Sequence, residues 1–250
     1  MQNLLHDMNP SLKFVLVTLS MFAIAFFFNP WTPFFFWVGV LLMQVFMSIV
    51  NWKTWSLFML PFALGAFGYL WTTIVFAADT SGEVIWSYLG FQVTADQLET
   101  ALSLAFRVMA FSTLSLMFAF TTDPVKFIMS LMQQMKLSPK LAYGVLVGYQ
   151  FLPVMKDEFN QIQQAHRLRG AEVEKNALRR LLGMRKVLIP MLAGAVRNAE
   201  RSAFAMEARG FTGEARSEYF QVIKLQKADA AMTAIFAFLL IVSCSAGFWF

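Results

Sequence analysis

The amino-acid sequence predicts an all-α integral membrane protein with about five transmembrane helices and a helical region between the fourth and the fifth. Two observations indicate this fold class. Hydrophobic residues make up 58% of the 250 residues and charged residues only 14%, well below the ~25% charged residues of a typical soluble domain. The basic residues are also segregated along the chain, since 17 of the 20 lie between residues 121 and 227.

The apolar stretches are long enough to cross a bilayer, for which a helix needs about 20 mostly apolar residues. The segment Asn29-Pro30-Trp31-Thr32-Pro33 separates the first two stretches, because proline ends helices and disfavours helical backbone in the residue before it. Residues 79–99 are a mixed connection. The predicted transmembrane helices cover residues 11–28, 33–51, 54–78, 100–120 and 230–250.

The charge pattern predicts the orientation in the membrane. Cytoplasmic loops of membrane proteins carry the excess of lysine and arginine, whereas the connection at 79–99 has acidic residues and no basic one. We therefore expect a cytoplasmic N-terminus and three regions: a membrane domain at 1–120, a cytoplasmic helical region at 121–229 and a last transmembrane helix at 230–250.

Arg107 is predicted to lie inside the fourth transmembrane helix. An ionised side chain at that depth can mark a functional site. A long side chain near the end of a helix can also reach the interface, or be paired within the bundle. Because Arg107 lies about two turns from the outer end, the sequence favours this structural role.

The cytoplasmic region begins with Asp123-Pro124 and repeats a helix-start signal at Ser138-Pro139, each a polar N-cap followed by proline. The apolar run 141–155 is too short to cross a bilayer comfortably. We interpret it as part of a helix that lies against the membrane bundle and bends at Pro153, with a re-entrant segment as the alternative. This helix then turns polar and ends at Arg169-Gly170.

A basic connection at 172–186 follows, and a second long helix is predicted from residue 187 to Arg209. A basic segment beside a bilayer is usually attracted to anionic lipid headgroups, and no nucleic-acid-binding module accompanies this one. Small side chains let helix backbones approach closely, so we expect the two long helices to cross. The small residues are Ala193, Gly194, Ala195, Ala199, Ala203, Ala205 and Ala208.

The two long helices end alike, with an arginine followed by glycine at Arg169-Gly170 and at Arg209-Gly210. Either end alone is explained by capping, because a cation suits the last turn and glycine adopts the left-handed backbone beyond it. Two such ends in one region suggest two similar acidic sockets on a partner, which a dimeric protein would supply by symmetry.

The sequence predicts no catalytic site and no cofactor or metal site. It has no G-x-x-x-x-G-K-[ST] phosphate-binding loop, and its two histidines and single cysteine cannot form a metal cluster. A stand-alone transporter would usually show internal repeats and charged residues at the bilayer midplane. That class and a non-catalytic membrane scaffold remain the alternatives to a protein whose two helix ends bind a cytoplasmic partner.

From Asp123-Pro124 onward the chain resembles the transmembrane component of energy-coupling factor transporters, the EcfT/CbiQ family. The resemblance extends over nearly the whole chain. Many relatives have alanine where this chain has Leu168. The residues that carry the resemblance are Asp123-Pro124, Phe151-Leu152-Pro153, Asp157-Glu158, both Arg-Gly ends and, most specifically, Met206-Glu207-Ala208-Arg209-Gly210-Phe211.

The resemblance implies a multi-pass protein of a prokaryotic cell membrane that binds two cytoplasmic ABC-type ATPases, one through each arginine. It also implies a small membrane protein, the S-component, that captures a vitamin or a transition-metal ion. ATP binding and hydrolysis would move the two long helices and so reorient that subunit. The implied ATPase-coupling residues are Arg169 and Arg209 with their neighbours Leu168, Gly170, Ala208 and Gly210.

Overall fold

A computed structural model describes residues 4–48, 50–76, 84–88, 91–169, 185–214, 219 and 221–249. It confirms the predicted fold class, an all-α membrane protein, with one small β-hairpin in addition. The elements in chain order are α1 (Leu4–Asp7), α2 (Pro10–Ala25), α3 (Trp31–Met47), α4 (Trp52–Phe76), β1 (Val84–Tyr88), β2 (Phe91–Thr94), α5 (Ala95–Thr121), α6 (Pro124–Gln134), α7 (Pro139–Leu168), α8 (Arg185–Ala208) and α9 (Lys227–Trp249).

The chain divides into two compact units. Residues 1–130 and 223–250 form one, which we call the membrane unit, and residues 131–222 form the other, which we call the paired-helix unit. Helix α6 begins in the membrane unit and ends in the paired-helix unit. The placement of residues 121–229 in the cytoplasm remains a prediction. Most of the basic connection predicted at 172–186 lies outside the described residues.

Within the part of the chain that the structure describes, three helices are long and apolar enough to cross a membrane: α4, α5 and residues Ala228–Gly247 of α9. Helices α2 and α3 are also apolar, but they have 16 and 17 residues and are therefore only about 24–26 Å long. The hydrocarbon core of a bilayer is about 30 Å thick, so α2 and α3 are each shorter than that core.

The break predicted at Asn29–Pro33 is confirmed, since the Asn29 Oδ1 accepts a hydrogen bond from the Trp31 N–H at 2.9 Å as α3 begins.

The connection predicted at 79–99 is more ordered than the sequence indicated. Strands β1 and β2 pair antiparallel, with Tyr88 opposite Phe91, because this stretch is rich in the aromatic and β-branched residues that favour strands. Helix α5 begins at Ala95 rather than at the predicted Thr100. At its start the Gln97 Oε1 accepts a hydrogen bond from the Thr94 N–H at 3.2 Å, which satisfies one amide group at the helix terminus.

The core of the membrane unit is built around α5, which packs against α2, α3 and α4. Phe36 of α3 and Phe236 of α9 are fully buried together with Leu114 and Met117 of α5. Helix α4 buries Trp55 and little else of its surface. Its large apolar side chains outside the contact with α5 are exposed, as expected of a helix that faces lipid.

Arg107 has a structural partner within the membrane unit. Its Nη2 donates a hydrogen bond to the Phe27 carbonyl oxygen, and its guanidinium lies 5.5 Å from the centre of the Phe28 ring. Helix α2 has ended at Ala25, so the Phe27 carbonyl lies in the connection to α3, and Arg107 joins α5 to that connection. This arrangement confirms pairing within the bundle, the role that the sequence favoured for Arg107.

Arg107→Met should destabilise the membrane unit, because it removes the charged hydrogen bond to the Phe27 carbonyl and the cation beside the Phe28 ring. The expected loss is about 1–3 kcal/mol in the free energy of unfolding. Thermal unfolding in detergent, followed by tryptophan fluorescence, measures it. Lys53→Met is the control, since Lys53 is exposed. Equal melting temperatures for the two variants would contradict this role.

Candidate functional site

The first helix end of interest belongs to α7, which runs for 30 residues from Pro139 through Pro153 to Leu168. Arg169 is its C-cap, and the Arg169 N–H donates to the Ala165 carbonyl oxygen at 3.2 Å. Leu168 is 90% exposed and Arg169 is exposed beside it. Gly170, the last residue of the predicted motif, lies outside the described residues.

Two arginines stand near this end, and the structure distinguishes them. The Arg167 Nη2 donates to the Gln163 Oε1 at 3.4 Å, one turn earlier on the same helix. The Arg169 guanidinium makes no hydrogen bond or ion pair with any residue that the structure describes. An exposed guanidinium beside an exposed leucine can therefore meet a partner without first losing a contact that these residues make.

The second helix end belongs to α8, and its glycine is needed for the backbone. Gly210 has a φ of +78°, a left-handed conformation that costs other L-residues free energy. The Phe211 N–H donates to the Met206 carbonyl oxygen at 3.0 Å and the Gly210 N–H to the Glu207 carbonyl oxygen at 2.9 Å. These two bonds form a Schellman motif. The motif leaves Ala208, Arg209 and Gly210 exposed.

The residues just after α8 pack against the start of α7. The Phe211 ring lies edge-on to the ring of Tyr143, with centroids 5.3 Å apart. Gly213, also with positive φ, approaches the Lys140 side chain so closely that a Cβ atom would overlap its methylene groups. The second helix end is thus fixed in position by α7 as well as by its own cap.

A second contact shows that the two long helices run antiparallel. At Gly194 of α8 a Cβ atom would overlap the carboxyl group of Glu158 on α7, so the absence of a side chain permits the close approach. Glu158 of α7 lies opposite Gly194 of α8, and Tyr143 lies opposite Phe211. Residue numbers therefore increase in opposite directions along the two helices. This confirms the predicted crossing of the long helices, and it places Gly194 at the contact.

The antiparallel arrangement separates the two arginines. Arg209 lies beside the first turns of α7, where Phe211 contacts Tyr143, whereas Arg169 caps the far end of that helix. The 26 residues from Tyr143 to Arg169 correspond to about 39 Å of helix. The two exposed cations therefore stand at opposite ends of the paired helices, too far apart for one small ligand to bind both.

The paired helices also expose apolar side chains at helical spacing. On α7 these are spaced so that they share one face, and α8 has a comparable row. Exposed apolar surface of this extent marks contact with a membrane or with another protein. The exposed residues are Leu141 (62%), Val145 (54%), Tyr149 (44%) and Leu152 (62%) on α7, and Ile189 (69%), Leu192 (60%) and Val196 (58%) on α8.

These features are suited to recognition. A guanidinium presents a planar set of N–H donors that matches a carboxylate in bidentate geometry, and an apolar neighbour helps to exclude water around such a pair. Each helix end supplies both, Arg169 with Leu168 and Arg209 with Ala208.

Comparison with known proteins identifies the family. Residues 1–219 match the sequence profile of the CbiQ family, described as cobalt transport protein. The chain belongs to the CbiQ family. The matched residues include the whole membrane unit up to Ser130, both long helices and both Arg-Gly ends.

The similar proteins are named energy-coupling factor transporter transmembrane protein EcfT. The one from Ruminiclostridium cellulolyticum is 26% identical over 246 residues, covering 93% of this chain and 89% of the relative. That from Limosilactobacillus fermentum is 27% identical over 243 residues, with the same coverage of each. That from Acidaminococcus fermentans is 28% identical over 183 residues, or 68% of each chain.

Gly194→Leu should loosen the contact between α7 and α8, because residue 194 is buried there and a leucine side chain must displace the Glu158 carboxyl group and still fit between the helices. Overpacking of this kind costs about 1–3 kcal/mol, which raises local hydrogen exchange roughly 5- to 150-fold. Amide hydrogen exchange of peptides from 139–168 and 185–208 measures it in the purified protein. Gly148→Leu is the matched control, since a Cβ atom at Gly148 meets nothing within 4 Å. The assignment fails if the two variants exchange alike.

Proposed function

We propose that this protein is the transmembrane coupling subunit of an energy-coupling factor importer. In this role it transmits ATP-driven motion from two cytoplasmic ABC-type ATPases to a separate substrate-binding membrane subunit, the S-component, for uptake of a vitamin or a transition-metal ion. The observation that carries the proposal is the pair of similar arginine ends, Arg169 and Arg209, exposed at opposite ends of two antiparallel helices.

The separation of the arginines supports two ATPase contacts. Two like sockets about 39 Å apart suit a dimeric partner, which presents the same surface twice by symmetry. We assign one ATPase subunit to each end. Leu168 and Gly170 complete the first contact, and Ala208 and Gly210 complete the second.

The exposed apolar rows of α7 and α8 support the third partner. Rows of exposed leucine, isoleucine and valine on these helices suit a hydrophobic membrane protein better than water. We assign these rows to the S-component, with the lipid bilayer beside it. In this proposal the transported substrate binds to the S-component and is not contacted by the present chain.

The proposed topology follows from the same role. Residues 1–120 form the membrane domain, residues 121–229 the cytoplasmic coupling region and residues 230–250 the fifth transmembrane helix, with the N-terminus in the cytoplasm. The excess of lysine and arginine at 121–227 supports this orientation. The chain lacks a phosphate-binding loop, so in this proposal ATP is hydrolysed by the ATPase partners and the chain itself has no enzymatic role.

The arginines test the proposal directly. Truncating one partner of a desolvated charge pair typically costs about 2–5 kcal/mol, or a roughly 30-fold or greater loss of affinity. We expect Arg169→Ala and Arg209→Ala each to reduce the amount of ATPase that copurifies with the tagged protein from native membranes in mild detergent. The double variant should lose it.

The matched controls are Arg167→Ala, which removes the neighbouring arginine that binds Gln163, and Arg201→Ala, which removes an exposed arginine of α8. Both should retain the ATPase at the wild-type ratio, as quantified by mass spectrometry. Normal ATPase recovery with the double variant, or equal losses with the controls, would reject the assignment of Arg169 and Arg209.

A further inference from the structure

A buried lysine lies at the end of the membrane unit where the chain leaves for the paired-helix unit and returns from it. Lys13, in the first turn of α2, has none of its surface exposed. A buried ammonium group is costly unless oxygen atoms surround it. The structure provides these oxygen atoms from two segments of the chain, so the Lys13 ammonium group is hydrogen-bonded as well as buried.

The oxygen atoms around Lys13 belong to α1 and to the end of α5. The Lys13 Nζ donates to the Thr121 carbonyl oxygen at 3.1 Å, to the Thr121 Oγ1 at 3.2 Å and to the Leu5 carbonyl oxygen. The Thr122 Oγ1 lies at 3.5 Å. Thr121 is the last residue of α5, whose terminal carbonyl has no helical donor and carries the negative end of the helix dipole. Lys13 therefore caps α5.

Asp229 binds backbone amide groups at the point where the chain re-enters the membrane unit. It is 3% exposed and lies in the first turn of α9. Its Oδ2 accepts a hydrogen bond from the Gln226 N–H and its Oδ1 one from the Asn9 N–H, both at 2.8 Å. The first bond caps α9, and the second joins α9 to Asn9, the N-cap of α2. A carboxylate also suits the positive end of the α9 dipole.

An aromatic cluster holds the exit segment from the other side. Phe14, next to Lys13, lies 5.5 Å from the Phe127 ring of α6 and 6.0 Å from the Phe118 ring of α5. Phe118 and Phe127 are 5.3 Å apart and edge to face. The start of α2, from its N-cap Asn9 to Phe14, thus contacts the last turn of α5, the start of α6 and the start of α9.

We propose that Lys13 and Asp229 are positioning residues for coupling, which fix both chain connections of the paired-helix unit to the first turn of α2. The chain leaves the membrane unit after Ser130, nine residues beyond Thr121, to which Lys13 donates, and it returns at Ile223, six residues before Asp229. Because both connections are fixed, a displacement of the paired helices moves the transmembrane helices. It is not absorbed by changes of backbone conformation in the connecting segments. This inference rests on the proposed coupling function.

The test uses the complete complex, purified through the tagged chain, with Mg²⁺-ATP and vanadate as the probe. Hydrogen exchange is compared with and without the nucleotide for peptides of α7 and for peptides of the first turns of α2 and α9. In the wild type we expect a nucleotide-dependent difference in both sets. In Lys13→Met and in Asp229→Asn we expect the α7 difference to persist and the α2 and α9 difference to fall below half.

Two controls separate positioning from general stability. Lys53→Met removes an exposed lysine and should behave like the wild type. Val40→Ala weakens the core of the same unit, where Val40 is fully buried, and should lower the melting temperature while it keeps the nucleotide response of α2 and α9. If Lys13→Met and Asp229→Asn keep that response as Val40→Ala does, the positioning role is overturned.

The same purification distinguishes a failure of the underlying function. If the wild-type chain brings down no ATPase, the coupling function is wrong and the positioning role falls with it. The other outcome is that the wild type and both variants bring down equal amounts of ATPase, and that the substitutions leave the nucleotide response of α2 and α9 unchanged. In that case the coupling function stands and the positioning role alone is rejected.

Discussion

The close antiparallel contact between α7 and α8 is the constraint on which the candidate site depends. Gly194 is buried at this contact, where a Cβ atom would displace the Glu158 carboxyl group, and Phe211 packs against Tyr143 at the other end. Helices that ran parallel would bring both arginine ends to one place. The antiparallel register instead holds Arg169 and Arg209 apart by most of the length of α7, which is compatible with the proposed contacts to two ATPase subunits.

Three charged residues of the membrane unit bind backbone groups of the same chain, unlike the exposed arginines Arg169 and Arg209. Arg107 donates to the Phe27 carbonyl after α2, Lys13 donates to the Thr121 carbonyl at the end of α5, and Asp229 accepts from amide groups at the starts of α2 and α9. Each ion satisfies backbone groups that a helix end leaves without partners. An unpaired backbone group costs several kcal/mol where water is scarce, so these three ions stabilise the bundle at the ends of its helices.

Local signals in the sequence were sufficient for the fold class and for several element boundaries. The starts of α6 at Pro124 and of α7 at Pro139, and the break before Trp31, follow from capping and proline chemistry, which acts within a few residues. The β-hairpin was missed because its strands are short and interrupt an apolar pattern.

The burial of Lys13 could not be foreseen, because its partners Leu5 and Thr121 come together only in the folded chain. Sequence did indicate the small residues of α8, but which of them meets α7 depends on the register. The arginine ends were found from two similar motifs, and their opposite placement required the structure.

Site-specific cross-linking would test the central claim most directly. A photoreactive amino acid placed at Leu168 or at Ala208, both exposed beside the arginines, should capture an ABC-type ATPase in native membranes from each position separately. The same probe at Leu57, an exposed apolar residue of α4, should capture none. ATPase adducts at both helix ends and none at Leu57 are the result that this account predicts. Adducts at only one end, or at neither, would contradict it.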